Sequence, residues 1–330
     1  MHGVLEQYVT GLRAGEGAHF GAMTLFPLMS DTDSPLHYRV LADALADGSV
    51  EVREKPVATV PELWLVNHSD SMVLVMGGEE VTGGKQNRMV NASFLIAQRS
   101  EMALPVTCVE HGRWRHTSDR FGVGEAVYGE LRRQTSRQVK EALRARGRPA
   151  ADQGRVWANI ADVAVEMSSS SPTGAMHDIY RQKSASLADY ERAFPVVEGA
   201  VGMAVAIVGS LAGLDAFDQS ATAARLWSKL VRSYALDALR SPEGGAIGDG
   251  VVSEFLASIV SAKIEQYPSP GLGTDLRLES KAVEGSALVY QDVIVHLVAF
   301  PALGGSARAA TTGMARASLR RRQQQRPTLS

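Results

Sequence analysis

Short apolar segments separated by turn residues fill the first part of the chain, and this pattern restricts the fold more than any other feature. The segments 50–54, 62–68 and 71–76 are too short for typical helices, and they are rich in the residues that strands favour. The same interpretation gives strands at 23–29 (ended by Pro27), 88–97 and 104–110. A helix at 37–48 interrupts this series. The first part of the chain is therefore predicted to be mostly sheet.

Helical periodicity replaces this pattern in the middle of the chain. Apolar residues recur at helical spacing across 124–148, and Gly147 and Pro149 are expected to end that helix. A second amphipathic helix follows at 156–167, and helical stretches continue to Phe194.

Sheet-forming segments return in the last third of the chain. The segment 200–217 is predicted to form a hairpin that turns near Gly209, 224–239 a helix, and 286–301 the last strand. Sheet at both ends with helices between them predicts one interlocked α+β domain with a mixed or antiparallel sheet.

The predicted domain covers residues 1–302. It divides into a β-rich part (18–118), a helical part (124–194) and an α+β part (196–302). The remaining residues, 303–330, lack periodicity and are predicted to form a basic, disordered tail.

Cysteine content and charge exclude several classes of protein. The single cysteine among 330 residues, Cys108, rules out an intramolecular disulfide and a cysteine-rich zinc cluster. A formal net charge of -2 provides no overall field for nucleic acid or an anionic membrane. The N-terminus lacks the apolar core of a signal peptide, and no apolar run reaches the roughly 20 residues of a membrane-spanning helix. A cytoplasmic protein without a membrane partner is expected.

The segment 77–88, GGEEVTGGKQNR, concentrates polar side chains around two Gly-Gly pairs directly after an apolar strand. Glycines let a backbone approach a ligand closely, and loops at strand ends commonly carry sites. The segment is not a phosphate-binding Walker motif, because Glu79 stands where its first glycine is required and Gln86 replaces its hydroxyl residue. It is a candidate binding loop of another kind.

The segment 104–114, LPVTCVEHGRW, is the second concentration of functional side chains. If its strand neighbours 88–97, Glu110 lies near Lys85 or Arg88, with Arg113 on the exit loop. An arginine and a carboxylate can clamp a phosphate or a diol and supply a general base. The alternative is a structural ion pair without a catalytic role.

Other residues carry weaker signals. Cys108 is either a nucleophile or a small core residue, and Trp114 either stacks on a base or is buried. Asp215 and Asp218 are candidate second carboxylates, although Asp218 also fits a helix N-cap.

The cofactor stays open, and a divalent metal is one alternative. His111 and His116 flank the turn after Glu110 and could join Glu110 or Asp119 around a metal ion. The histidines show no paired-ligand spacing, and a surface turn is sufficient to explain these two.

The segments GEEVTGGKQNR, SFLI and PVTCVEHGRW together resemble the ARG and rhodanese-phosphatase-superfamily-associated protein domain family, over residues 18–302. The family is named for gene association with ADP-ribosylglycohydrolases and rhodanese-phosphatase proteins. The resemblance therefore implies a role in the metabolism of ADP-ribose or another NAD-derived nucleotide, with a link to RNA repair.

These observations predict a hydrolase that acts on ADP-ribose or a related phosphorylated nucleotide. Glu80 and Glu110 are the candidate acid/base residues, and Lys85 would stabilise developing negative charge. The candidate substrate-binding residues are Gly83, Gly84, Gln86, Asn87, Arg88, Arg113 and Trp114. The alternative is a non-catalytic nucleotide-binding or scaffold protein.

Basic residues at helical spacing in 124–148 suggest a further partner. The residues Arg133, Arg137, Lys140 and Arg144 form one stripe. This stripe predicts either contacts with RNA phosphates or a solvated helix face.

Overall fold

A computed structural model describes residues 1–32, 34–55 and 61–302, so the predicted tail at 303–330 lies outside the described residues. The described part contains eight helices and eighteen strands. The helices are α1 (His2–Thr10), α2 (Leu41–Ala46), α3 (Gly129–Arg146), α4 (Gln153–Glu166), α5 (Met176–Gln182), α6 (Ser184–Ala193), α7 (Ser220–Leu239) and α8 (Gly250–Val260).

The largest sheet has nine strands, all antiparallel to their neighbours. They are β1 (Arg13–Ala14), β2 (Ala18–Phe20), β3 (Met23–Met29), β13 (Ala200–Ile207), β14 (Ser210–Phe217), β15 (Lys263–Pro268), β16 (Thr274–Glu279), β17 (Val283–Tyr290) and β18 (Val293–Pro301). Their order is β1-β3-β13-β14-β18-β17-β16-β15, and β2 also pairs with β3. Strands from both ends of the chain therefore form one sheet.

Two smaller sheets carry the remaining strands. Three strands, β4 (Tyr38–Val40), β7 (Met72–Val75) and β10 (Phe94–Ile96), lie in the order β10-β7-β4, with β4 and β7 parallel. The second small sheet contains β5 (Val50–Glu54), β6 (Glu62–Asn67), β8 (Glu79–Thr82), β9 (Arg88–Val90), β11 (Ser100–Cys108) and β12 (Gly122–Ala126). Its order is β12-β8-β9-β11-β6-β5. The chain is thus an α+β domain with mixed and antiparallel sheets, as the sequence predicted.

Both faces of the nine-stranded sheet are covered by apolar packing. Side chains of a strand alternate between faces, so Leu25 of β3 packs in a core with Trp227 of α7. Its neighbour Phe26 packs in a second core with Leu5 of α1 and Phe255 of α8. Burying each large apolar side chain contributes about 1.5–3 kcal/mol. Helices on the two faces therefore hold the sheet in place.

Two predictions near the N-terminus are wrong in detail. Pro27 does not end its strand, which continues to Met29. The carbonyl of Pro27 accepts from Gly15, so its nitrogen faces the gap between β1 and β2, where no strand hydrogen bond is lost. The helix predicted at 37–48 begins at Leu41, because residues before it form β4 against β7.

Two predicted strands are each split into two. The segment 88–97 forms β9 and β10, which belong to different sheets. The segment 286–301 contains a hairpin, because Gln291 and Asp292 both have positive φ, at 50° and 58°. Positive φ at both central residues is the conformation of a tight two-residue hairpin turn.

The long helix predicted at 124–148 begins later. Residues 122–126 form β12 against β8, so α3 starts at Gly129. Its predicted stop is confirmed, since Gly147 is left-handed with φ of 64° and its N–H donates to Leu143. The hairpin at 200–217 is also confirmed, with Gly209 in the turn at φ of 70°.

Candidate functional site

The two polar segments found in the sequence meet in the six-stranded sheet. β9 pairs with β11, which places Arg88 opposite Cys108. The N–H of Val109 then donates to the carbonyl of Asn87 at 3.0 Å. Residues 77–88 and 104–114 are therefore neighbours in space.

Glu110 is the centre of this contact. Its carboxylate accepts the Nε–H of Arg113 at 2.9 Å, the hydroxyl of Thr173 at 2.7 Å and the backbone N–H of Asn87 at 3.1 Å. Burial alone would raise the pKa of Glu110, but the hydrogen bonds from Arg113 and Thr173 hold it below its ordinary value. Glu110 is therefore a carboxylate whose oxygens already have partners.

Arg113 ties the same loop together. Its guanidinium donates to the carbonyls of Gly84 at 2.7 Å and Gly83 at 3.1 Å, and to the side chains of Asn87 at 3.0 Å and Thr117 at 2.8 Å. Every guanidinium nitrogen of Arg113 donates to a protein oxygen. This geometry clamps the turn at residues 83–87 and leaves little capacity for a phosphate.

The other predicted binding residues are divided between interior and surface. Gln86 and Arg88 are buried, and Arg88 donates to the backbone and side-chain oxygens of Gln86 at 3.1 Å. Lys85 is half-buried, and its backbone N–H donates to Glu54. Trp114 is 57% exposed, so burial does not account for it.

Glu80 connects this cluster to α5, because its Oε1 accepts from the side-chain amide of Asn87 at 3.4 Å. Its buried carboxylate faces Nδ1 of the half-exposed His177 at 3.1 Å and accepts from the N–H of Glu125 at 3.3 Å. The hydrogen bond with Glu80 raises the pKa of His177 above its ordinary value. Glu80 thus supports a partly exposed imidazole that sequence analysis did not select.

The raised pKa of His177 makes stability depend on pH. Its contribution is fully present below about pH 6.5, the unfolded value, and is lost as pH rises through the folded pKa. We therefore expect His177→Gln to be more destabilising at about pH 5.5 than at pH 8.5. Urea unfolding at both pH values measures this difference, with the exposed His2→Gln as control. An equal loss at the two pH values would contradict it.

A second polar group lies where the large sheet meets the start of β10. The hydroxyl of Ser93 is 2.7 Å from Nδ1 of His296 on β18, and Nε2 of His296 is 3.2 Å from Asp215 on β14. Asp215 accepts a hydrogen bond from Nε2–H of His296. The unprotonated Nδ1 therefore accepts a hydrogen bond from the Ser93 hydroxyl. A nucleophile, a base and an orienting carboxylate within these distances form the arrangement of nucleophilic catalysis.

The environment of this group keeps the base neutral. Burial lowers the pKa of His296, and the ring stacks on Phe217 with centroids 4.6 Å apart. Arg132 of α3 binds Asp215 through both guanidinium ends and, despite burial, holds the pKa of Asp215 well below its usual range. The hydroxyl of Tyr234 also donates to Asp215 at 2.9 Å. At neutral pH the imidazole is therefore uncharged and ready to accept a proton.

Ser93 is half-buried and opens on a small cleft of about 30 Å³. The cleft begins at the Gly-Gly pair of the 77–88 segment, and the N–H of Gly77 donates to the Ser93 hydroxyl at 2.9 Å. A Cβ at Gly77 would lie 3.1 Å from backbone atoms of Ala92 and Ser93, so glycine permits this close approach. A cleft of about 30 Å³ has room only for the small group of a ligand that would contact the Ser93 hydroxyl.

Two polar atoms in this cleft have no partner among the described residues. They are the hydroxyl of Thr135 and Nε of Arg277, and both side chains are buried. Arg277 uses another nitrogen to bind Asp275 at 2.5 Å. An unpartnered buried donor is unfavourable by about 1–3 kcal/mol, so both atoms favour an acceptor that comes within hydrogen-bond distance.

Comparison with known families assigns the chain. The model of the ARG and Rhodanese-Phosphatase-superfamily-associated Protein domain matches residues 11–300. The chain belongs to this family. No curated protein and no solved structure matches it.

In this member of the ARG and rhodanese-phosphatase-associated family, the sequence patterns do not single out Ser93 or His296 as site residues. Asp215 is predicted from them only as a candidate second carboxylate, without its partners. The sequence does carry a signal for His296 and Asp215, because each interrupts a strongly apolar strand. Buried polar groups require hydrogen-bond partners, so each of these residues indicates a polar neighbour in the core. Ser93 carries no such signal, since serine is ordinary in a turn between strands.

The structure gives different outcomes for the weaker predictions at Asp218 and Cys108 of this family member. Asp218 is not a helix N-cap, because α7 is preceded by Gln219 and Asp218 accepts from Tyr38. Burial raises the pKa of Asp218 to about 6. Cys108 is fully buried, and burial raises the pKa of its thiol, as expected of a core residue.

Two features of the described residues concern the metal and membrane expectations. Within residues 1–32, 34–55 and 61–302, no group of three or more histidine, cysteine or acidic side chains could hold a metal ion. The ring of His111 packs on Trp157 with centroids 4.4 Å apart, away from such a role. Every helix in the same residues is too short or too polar to cross a lipid bilayer.

The basic stripe of α3 does not act as one surface. Lys140 is buried and binds Glu279 at 2.8 Å, and Arg144 binds Glu265 at 2.7 Å. These two cations pair with β16 and with its neighbour β15, which is an edge strand of the large sheet. Arg133 and Arg137 instead line a separate cleft.

Proposed function

We propose that this chain is a hydrolase that uses Ser93 to cleave an ester bond of a phosphorylated nucleotide of the ADP-ribose class. The observation that carries the proposal is the Ser93–His296–Asp215 arrangement, with distances of 2.7 and 3.2 Å. It lies at a cleft whose lining includes donors that find no partner among the residues that the structure describes.

The chemistry follows from this order of contacts. Ser93 Oγ attacks the ester carbonyl carbon while its proton passes to Nδ1 of His296. The ester C–O bond breaks, and the alcohol leaves with that proton. A water molecule then gives a proton to His296 and attacks the acyl-serine, which releases the acid and returns the proton to Ser93. Asp215 keeps the imidazole in the required tautomer and stabilises the transient imidazolium.

A buried arginine beside the cleft supports an anionic substrate. Arg277 Nε is without a partner in the described part of the chain, whereas the guanidinium of Arg132 is already bound by Asp215. Arginine is well suited to phosphate because its planar fork can donate two parallel hydrogen bonds. The association of the family with ARG and a rhodanese-phosphatase superfamily supports the ADP-ribose class.

The predicted roles of Glu80, Glu110 and Lys85 change under this proposal. Glu110 and Arg113 form a saturated clamp, which supports a structural role for the loop at 83–87. This clamp also favours the alternative, a non-catalytic nucleotide-binding or scaffold protein. The two proposals differ in whether Ser93 is reactive.

Covalent labelling distinguishes them. A fluorophosphonate reagent, which phosphonylates activated serines, is expected to add once per chain, on the peptide that contains Ser93. His296→Gln should prevent labelling because the base is lost, whereas Ser258→Ala on α8 should leave it unchanged. Wild-type protein that stays unlabelled, or labelling that persists in Ser93→Ala, would support the non-catalytic alternative. Turnover of an acyl ester of ADP-ribose, compared with p-nitrophenyl acetate, then tests the substrate class.

A further inference from the structure

A second cleft, larger than the Ser93 cleft, lies on the opposite side of α3 and has the properties of a ligand site. Its volume is about 260 Å³, and it is bordered by α3, the start of α4 and β17. Small-molecule pockets usually start at about 300 Å³, so this cleft suits a compact ligand.

The side chains that α3 and α4 contribute include three arginines beside Glu130 and Glu141. Arg133 and Arg137 come from successive turns of α3, and Arg155 comes from the first turn of α4. The pairs they form are weak, since Arg137 meets Glu141 at 3.3 Å and Arg155 meets Asp152 at 3.6 Å, all largely exposed. Such exposed pairs hold their arginines loosely, so the guanidiniums can turn to an anion.

A buried amide adds an independent sign of a ligand. Gln138 is 7% exposed and lines the cleft. Its Oε1 accepts the N–H of Asp152 at 2.9 Å, which fixes the orientation of the amide. Its Nε2 has no hydrogen-bond partner in the residues that the structure describes. A phosphate oxygen is the acceptor that this donor and the arginines share.

The cleft also contains an unused acceptor. Oε2 of Glu284 on β17 is buried and lacks a partner within the described chain. A ribose hydroxyl or a base N–H can donate to it. The cleft thus offers donors for a phosphate and an acceptor for the sugar or base.

The two clefts flank α3 on opposite sides. Ser286, which lines the Ser93 cleft, and Glu284 lie two positions apart on β17, so their side chains project from the same face. The α3 residues Thr135 and Gln134, one in each cleft, point in different directions around the helix. The larger cleft is therefore a separate site with its own ligand.

We propose that the cleft lined by Arg133, Arg137, Gln138 and Glu284 binds a nucleoside monophosphate. This nucleotide subsite lies across α3 from Ser93, so the inference does not depend on the proposed hydrolase function. It also replaces RNA as the ligand of Arg133 and Arg137, because Lys140 and Arg144 are paired elsewhere.

Equilibrium binding of AMP, measured by calorimetry, tests the subsite. The double variant Arg133→Ala/Arg137→Ala should raise the Kd by about 10- to 100-fold, since each charged hydrogen bond contributes strongly. Arg144→Ala removes a cation from the same helix outside the cleft and should leave the Kd unchanged. Adenosine should bind more weakly than AMP, and Glu284→Gln should weaken AMP but not inorganic phosphate.

The outcomes separate this inference from the hydrolase proposal. AMP should bind Ser93→Ala as well as wild type, because binding does not use the nucleophile. An unchanged AMP affinity in the double variant overturns the subsite, even if Ser93 is labelled. Binding of a short RNA without binding of AMP also overturns it. Arginine-dependent AMP binding in a protein whose Ser93 is unreactive would keep the nucleotide site and refute the hydrolase.

Discussion

Replacing Ser93 with alanine is expected to lower kcat for an ester substrate by about 10⁴- to 10⁶-fold, the loss seen when a serine nucleophile is removed. The effect is large because His296 would have no hydroxyl to activate, and its Nδ1 lies 2.7 Å from that hydroxyl. Initial rates with p-nitrophenyl acetate and an acyl ester of ADP-ribose measure the loss. Ser258→Ala, at a half-buried serine on α8 far from Ser93 in the sequence, is the control for general damage.

The pH profile adds an independent check of the same mechanism. Since burial lowers the pKa of His296, the base is neutral at and above its ordinary pKa, about 6.5. Activity should therefore rise with pH on the acid side, and the midpoint of that rise should lie below about pH 6.5. Retention of most activity in Ser93→Ala, with normal folding, would remove Ser93 from the mechanism.

Replacing Asp215 with asparagine is expected to destabilise the fold by about 3–5 kcal/mol, because it leaves the charge of Arg132 buried without its partner. Both side chains are almost fully buried, at 3% and 0% exposed. Asparagine keeps the shape of the side chain, so loss of charge dominates the effect. Urea unfolding monitored by circular dichroism measures the change in the free energy of unfolding.

The matched control is Asp31→Asn. Asp31 also accepts two hydrogen bonds from an arginine, Arg13, at 2.5 and 2.6 Å, but that pair is exposed. Solvent screens such pairs, so no measurable change is expected. Equal effects at Asp31 and Asp215 would show that burial of the Arg132 pair is not what matters.

Local sequence patterns were sufficient for much of the fold. The hairpin at 200–217 follows from its apolar strands and the turn at Gly209, and the end of α3 follows from Gly147. The hairpin inside 286–301 was missed because Gln291 and Asp292 are not the Asn-Gly or Asp-Gly pairs that usually mark such turns. No helix or strand is predicted from the sequence for residues 250–279, which form α8, β15 and β16.

The candidate site was less accessible to sequence reasoning. The clamp between Glu110 and the loop at 83–87 follows from two strands close in sequence, β9 and β11. The Ser93–His296–Asp215 group requires β14 to pair with β18. Two helices and three strands separate these two strands along the chain. Strand order in a sheet is set by packing of the whole domain, so local patterns do not reveal it.

The distance along the chain between Ser93 and His296 has a consequence for biosynthesis. These residues are 203 positions apart, and His296 lies in the last strand of the large sheet. A chain leaving the ribosome grows at roughly 5–20 residues per second, so the serine emerges long before its base. Until β18 docks beside β14, Ser93 is an ordinary hydroxyl. Completion of the sheet is thus what would switch on its reactivity, and unfinished chains would be unable to hydrolyse esters in the cell.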